Sequence, residues 1–240
     1  MIAALAGAVV VLIWQVLGWL HALPVVVPAP VTILAALPGA GGALVLNSLP
    51  TLGIAAAGFA LAFAVSLLLA AVGAVVRRAG PPIQAAGIAL DSVPLIALTP
   101  VLTELLGVDT RARVMIAALA CFLPLLLGLA RGMRGVDRDL AEVFHVLAAS
   151  PATRLRLLAL PSALPHLLPA LKVAAPAALL GALVAEWAGA ERGLGIMMTY
   201  AMAAFDVPRL WLSILATCAM SLALYGALSG LERLVLRRWG

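Results

Sequence analysis

Few residues in this chain are equipped for chemistry, and most of them sit within apolar runs. Asp91 and Ser92 fall near the middle of one such run, ahead of Pro94 and Pro100. A carboxylate at that depth usually faces a bundle interior or a water-filled cavity. The pair therefore either lines a polar pathway or its inner gate, or makes a helix-packing hydrogen bond, or sits at a cytoplasmic boundary. Glu186 and Trp187 close another apolar run, shortly before Gly193-Leu194-Gly195. Lys172, the sole lysine, lies early in that same run and reads as a boundary anchor whose ammonium reaches the headgroups. Glu142-x-x-His145 matches one half of a di-iron pattern, but such sites need two pairs and further inward carboxylates. His21 and His166 have no metal-ligand spacing around them, and no nucleophile elbow or triad context occurs. Cys121 and Cys218 sit in apolar runs as small hydrophobes. No catalytic residue, metal site or disulfide framework is expected.

The elements that must hold these residues are membrane helices. Of 240 residues, 65% are hydrophobic and 10% charged, against about half and a quarter in a soluble domain. The first charged residue is Arg77, so the preceding stretch alone has room for two crossings at about 20 residues each. The apolar runs are continuous rather than alternating, which predicts helices and excludes a barrel. Six spans are expected, over residues 2–20, 51–76, 82–105, 114–131, 165–187 and 210–231. The first lacks a basic start and a cleavage site before His21 and Pro24, so it is read as a span rather than a leader. The whole chain, 1–240, is expected to be one all-α transmembrane domain: a first span with its outer connection over 1–50, then a five-span core over 51–240. Gly128 and Gly132, and Gly181, Ala185 and Gly189, supply small residues at four-residue spacing for close helix contacts.

Arginine placement orients the bundle. Ten arginines lie in the second and fourth connections and the tail (Arg77, Arg78, Arg131, Arg134, Arg138, Arg154, Arg156, Arg233, Arg237 and Arg238). Four lie on the other side, at Arg111, Arg113, Arg192 and Arg209. The side with ten is expected to face the cytoplasm, with both termini. Because the basic residues separate apolar runs and form no surface stripe, the net charge of +5 does not indicate a nucleic-acid partner.

The fourth connection, from about 131 to 164, is too long for a simple turn. Leu140, Val143, Phe144 and Leu147 recur at helical spacing, predicting a short amphipathic helix over 137–148. Ser150 is a good N-cap and Pro151 a favoured first helical residue, predicting a second short helix that stops at Pro161. Two short helices meeting at a bend form a handle for a soluble partner.

At these residues the chain resembles a known family. Glu142-Val143-Phe144, Ala148-Ala149-Ser150-Pro151 and Leu160-Pro161 resemble the EAA loop of ABC importer permeases, over about 137–161. The chain departs from that family in carrying Val143 and Phe144 where two alanines are usual, and Ala148 where glycine is usual. VPLIALTPVLTELLG (93–107), VDRDLAEVF before the bend, VAEWAGAERGLG (184–195) and the run NSLPTLG to AVVRR resemble the nitrate, sulfonate and taurine branch.

The resemblance implies a type I ABC importer permease in the bacterial cytoplasmic (inner) membrane. It implies two ATPase subunits, a second permease copy (most simply a homodimer), an extracytoplasmic solute-binding protein, and ATP and Mg on the ATPase rather than on this chain. Docking to the ATPase is implied for Glu142, Val143, Phe144, Leu147, Ala148, Ala149, Ser150 and Pro151. Arg154 and Arg156 touch either the ATPase or lipid phosphates. A gate or binding-protein contact is implied for Glu186 and for Gly193, Leu194 and Gly195, with residues 196–204 as a short re-entrant or interfacial helix; an interface anchor is the other reading of Glu186 and Trp187. Consistent with a transport subunit, the sequence holds no G-x-x-x-x-G-K-[ST] phosphate loop. The branch suggests small anions such as nitrate, sulfonates or taurine, or vitamin-precursor heterocycles. An ion-gradient-driven transporter would show internal repeats and several intramembrane charges. A membrane-embedded enzyme would gather several polar groups at one depth. Neither pattern is present.

Overall fold

The computed structural model describes residues 2–20, 24–76 and 78–239, and the side chains within them except those of 2–4, 138, 236, 238 and 239. Arg77 and His21 lie outside the described residues. Among these the chain is helical, in the order α1 (Ile2–Trp19), α2 (Pro30–Ala35), α3 (Leu37–Val75), α4 (Gly80–Asp91), α5 (Leu95–Leu106), α6 (Thr110–Arg134), α7 (Arg138–Val146), α8 (Pro151–Arg154), a π-turn (Leu155–Ala159), α9 (Leu160–Trp187), α10 (Leu194–Ala203) and α11 (Val207–Trp239). Four helices among the described residues are long and apolar enough to cross a bilayer: α3, α6, α8 to α9 taken together, and α11; the bent pair α4–α5 makes a fifth if it counts as one span. α1 is a shorter apolar helix.

α3, α6 and α9 build the centre. Ile54, Ala55 and Ala62 of α3 meet Ala117, Ala118, Cys121 and Leu125 of α6 and Ala174, Ala178, Leu179 and Ala182 of α9. Lipid is as apolar as these side chains, so close backbone approach rather than water exclusion must hold the helices together. The glycines provide it. A Cβ at Gly132 of α6 would lie 2.5 Å from Ala163 Cα, and one at Gly181 of α9 would lie 2.8 Å from Ala117 Cα. The small-residue spacing in the sequence thus marks the α6–α9 seam. A polar tie crosses the α3–α6 contact, where Ser66 Oγ donates to the Phe122 carbonyl at 3.3 Å.

α1 packs at the α10 end of the bundle through aromatic and polar contacts. The Trp14 and Trp211 rings lie 5.1 Å apart, Trp211 Nε1 donates to the Val26 carbonyl at 2.8 Å, and Val31 N donates to Gln15 Oε1 at 3.0 Å.

The structure departs from the sequence expectations at four places. α3 starts at Leu37, well before 51, and runs through Pro50. Asn47, Ser48 and Thr51 turn back to the carbonyls of Ala43, Leu44 and Asn47, which supports the chain beside the proline. The expected third span is not one helix: α4 and α5 meet at 94° across Ser92, Val93 and Pro94. Proline disfavours helical geometry in the residue before it, and Ser92 Oγ bonds back to the Ile88 carbonyl at 2.8 Å, closing α4. The helix after Pro151 does not stop at Pro161. The π-turn, in which Leu160 N bonds to the Leu155 carbonyl, reregisters the chain so that Pro161 falls in the first turn of α9, where its missing N–H costs little. Finally, Lys172 is not a lone anchor. Its Nζ lies 2.5 Å from Glu232 Oε2 of α11 and 5.9 Å from the centre of the Tyr225 ring.

Candidate functional site

The residues singled out by the sequence fall into three places: the α7–α8 turn at one end of the bundle, the α9–α10 turn at the other, and the α4–α5 bend.

At the first place Asp137 caps α7, its Oδ1 accepting from Asp139 N at 2.9 Å and Leu140 N at 3.2 Å. The helix ends in a Schellman turn: Ala149 N bonds to the Phe144 carbonyl at 3.0 Å and Ala148 N to the His145 carbonyl at 2.9 Å. That turn needs a left-handed residue, usually glycine, and Ala148 fills it at φ 49°. Ser150 then caps α8, its Oγ accepting from Thr153 N at 3.1 Å, with Pro151 following. The bend therefore survives the loss of glycine at the cost of a strained alanine, about 1–2 kcal/mol. Phe144 and Ala149 are half-buried, while Glu142, Ser150 and Pro151 are exposed. Leu140, Val143, Val146 and Leu147 are 52%, 51%, 79% and 71% exposed, so α7 holds its apolar face away from the bundle. Behind the turn a cleft of about 710 Å³ opens between α7, α8 and the ends of α3 and α6, with Arg134 and Arg154 on its walls. Arg134 lies against Gly80 and, with the Gln84 amide oxygen turned toward it, donates from Nη2 at 3.1 Å and Nη1 at 3.2 Å.

At the opposite end three consecutive backbone donors meet three side-chain acceptors. Gly193 N donates to Asn47 Oδ1 at 2.9 Å, Leu194 N to Thr51 Oγ1 at 2.9 Å, and Gly195 N to Glu186 Oε2 at 2.7 Å. These donors open α10, where no intrahelical partner exists, and a carboxylate is favoured there by the helix dipole. Glu186, Thr51 and Leu194 are fully buried. The glycines make room: Gly193 has φ +140° with its Cα against the Glu186 carboxylate, and a Cβ at Gly195 would lie 2.7 Å from the Leu183 carbonyl. Among the described residues Glu186 Oε1 has no hydrogen-bond partner. Glu186 thus faces protein rather than an aqueous boundary, while Trp187 beside it is half exposed.

At the third place Asp91 is exposed at the last residue of α4, beside the exposed Ser92. No hydrogen bond among the described residues joins either one to the Glu186 cluster. Sequence reasoning found Glu186 and the glycines but missed Asn47, Thr51 and Glu232. The signal was present: polar side chains four residues apart in an uncharged run, and a lone lysine in a span, each need a buried partner.

The sequence is similar to those of known proteins. The family described as "Binding-protein-dependent transport system inner membrane component" matches residues 75–240. The chain is 28% identical over 225 residues to the formylaminopyrimidine transport permease protein ThiX of Halalkalibacterium halodurans, covering 93% of this chain and 90% of that one. It is 32% identical over 197 residues to the putative aliphatic sulfonates transport permease protein SsuC of Bacillus subtilis, covering 81% and 71%. It is 30% identical over 161 residues to the riboflavin transport system permease protein RibX of Chloroflexus aurantiacus, covering 67% and 59%. With the matched region running from the end of α3 through the α7–α8 turn, the Glu186 cluster and α11, the chain belongs to the binding-protein-dependent transport system inner membrane components, the permease subunits of ABC uptake systems.

Proposed function

We propose that two copies of this chain form the translocation pathway for a small solute, driven by two ATPase subunits gripped at the α7–α8 turn. The relatives' names favour a sulfonate or a heterocyclic vitamin or vitamin precursor, and the resemblance to the nitrate, sulfonate and taurine branch adds nitrate- and taurine-like anions. An extracytoplasmic binding protein delivers it near Gly193, Leu194 and Gly195. The excess of arginines at the α7 end supports a cytoplasmic location for that end and for both termini. ATP and Mg belong to the ATPase partner.

The observation that carries this reading is the outward apolar face of α7 beside the exposed Glu142, held by a rigid Schellman turn. A soluble partner covering that face removes it from water, and the turn transmits displacement as a rigid body. Phe144 and Ala149, half-buried, brace α7 and the turn, while Leu147, Ser150 and Pro151 meet the ATPase. Arg154 and Arg156 stand exposed beside them for ATPase or lipid phosphate. ATP-driven closure of the ATPase pair moves both turns and tilts the spans. Asp91 and Ser92, exposed at a break in the bent pair, line the pathway or its inner gate. Glu186 serves the opposite gate through the α10 segment it caps.

The test is reconstitution of the permease with its ATPase and binding protein in proteoliposomes. ATP-dependent uptake is expected. Val143→Asp should cut ATPase retention on purified complex about ten-fold or more, as loss of a central interface contact does. Full retention with that variant would rule out α7 as the docking element. Asp91→Asn in an assembled complex should lower uptake; unchanged uptake would remove Asp91 from the pathway.

A further inference from the structure

The α10 segment is tied to the bundle in an unusual way. Its first three amides are bonded to side chains of two other helices, Asn47 and Thr51 of α3 and Glu186 of α9. Thr51 is engaged at both ends: its hydroxyl donates to the Asn47 carbonyl at 3.1 Å and accepts from Leu194 N at 2.9 Å. Leu194 itself is fully buried and packs with Leu44 of α3, Leu183 of α9 and Leu212 of α11. Beyond this socket Met197, Met198 and Ala201 keep one side of α10 buried, and the other side is open. Tyr200 and Met202 are exposed, and Phe205 at its far end is 88% exposed in a left-handed turn at φ 54°.

We propose that Asn47, Thr51 and Glu186 are positioning residues that make α10 move with α3 and α9, so that displacement driven from the ATPase end reaches the opposite end of the pathway. Both helices span the bundle, from the cleft at the α7 end, where Gly73, Ala74 and Val75 of α3 and Leu158 and Ala159 just ahead of α9 form walls, to the socket at the α10 end. Gly193 and Gly195 keep the joint stiff, because the carboxylate and the backbone fill the space a side chain would need. The α10 surface that carries Tyr200, Met202 and Phe205 is then set by the position of α3 and α9. This rests on the pathway reading above.

The experiment compares wild type with Thr51→Val, which keeps the shape and removes the acceptor, and with Thr51→Ser, which restores it. Assembled complexes in proteoliposomes are assayed for amide exchange over residues 193–199, ATP hydrolysis and solute transported per ATP. Thr51→Val should speed exchange at those amides about ten-fold or more, as loss of a buried acceptor does. It should leave hydrolysis running and lower transport per ATP several-fold, with Thr51→Ser close to wild type. Faster exchange with unchanged transport per ATP would overturn the proposal, leaving the socket a plain helix cap; unchanged exchange would overturn it too. If Thr51→Val does not assemble, Asn47→Leu, at the partly exposed edge of the socket, takes its place with the same readouts, and the same results support or overturn the proposal. Failure of the wild-type complex to transport at all would instead count against the permease reading itself.

Discussion

Ala148 holds the turn between α7 and α8 in a conformation that costs an L-residue about 1–2 kcal/mol and glycine nothing. Ala148→Gly regains most of that, less about 0.4–1 kcal/mol of extra chain entropy in the unfolded state. Amide exchange at Ala149 should slow about two-fold or more in that variant and quicken in Ala148→Val, whose branched side chain fits the left-handed region worse. Gly195 is the opposite case. Its substitution by alanine drives a Cβ onto the Leu183 carbonyl and the Glu186 side chain, neither of which can yield easily. Gly195→Ala should destabilise the permease by about 1–3 kcal/mol in thermal unfolding of the detergent-solubilised complex. Gly230→Ala, where a Cβ meets nothing within 4 Å in this chain, should leave the midpoint unchanged or slightly raised. Lys172 and Glu232 form a partly buried pair, each side chain 18% exposed. Lys172→Met alone strands the carboxylate, so the double variant with Glu232→Leu should be more stable than the single one, measured as a double-mutant cycle.

At the scale of elements, prolines decide whether an apolar run is one helix or two. Pro50 is absorbed within α3 with help from neighbouring hydroxyl and amide side chains, and Pro161 is absorbed by the π-turn ahead of α9. Pro94 breaks its run, because it follows Ser92-Val93 at a point where α4 has already closed. Pro94→Ala removes the restriction on Val93. Spin labels at Ile88 and Val101, both exposed, should then move apart as the 94° bend opens; an unchanged distance would place the cause of the bend in packing against α6. α7 is the element whose type was written in its spacing. Its apolar positions predicted an amphipathic helix, and the structure leaves Leu140, Val143 and Leu147 uncovered with Phe144 half-buried.

The molecule as a whole is a small-residue bundle with a handle at one end and a capped helix at the other. α11 has no buried residue from Ile214 to Val235, and α3 and α5 also show large apolar side chains, as expected of surfaces that meet lipid or a second copy. A permease driven by a separate ATPase should take up solute in the presence of a protonophore and stop with vanadate. Uptake that follows the proton gradient instead would return the chain to the secondary transporters.

Composition, the unbroken apolar runs and arginine placement were enough to establish an all-α membrane protein, because charge and open backbone are too costly in hydrocarbon to be placed elsewhere. The motifs between Glu142 and Pro161 and from Glu186 to Gly195 identified the family, since local turn and cap chemistry is readable from neighbouring residues. Only the tertiary structure paired Asn47 and Thr51 with the amides of residues 193 and 194, and Lys172 with Glu232, at separations of 146, 143 and 60 residues. A one-dimensional pattern shows that a buried polar group needs a partner. Which partner it finds depends on how the helices pack, and that is set by small-residue contacts spread over the whole bundle.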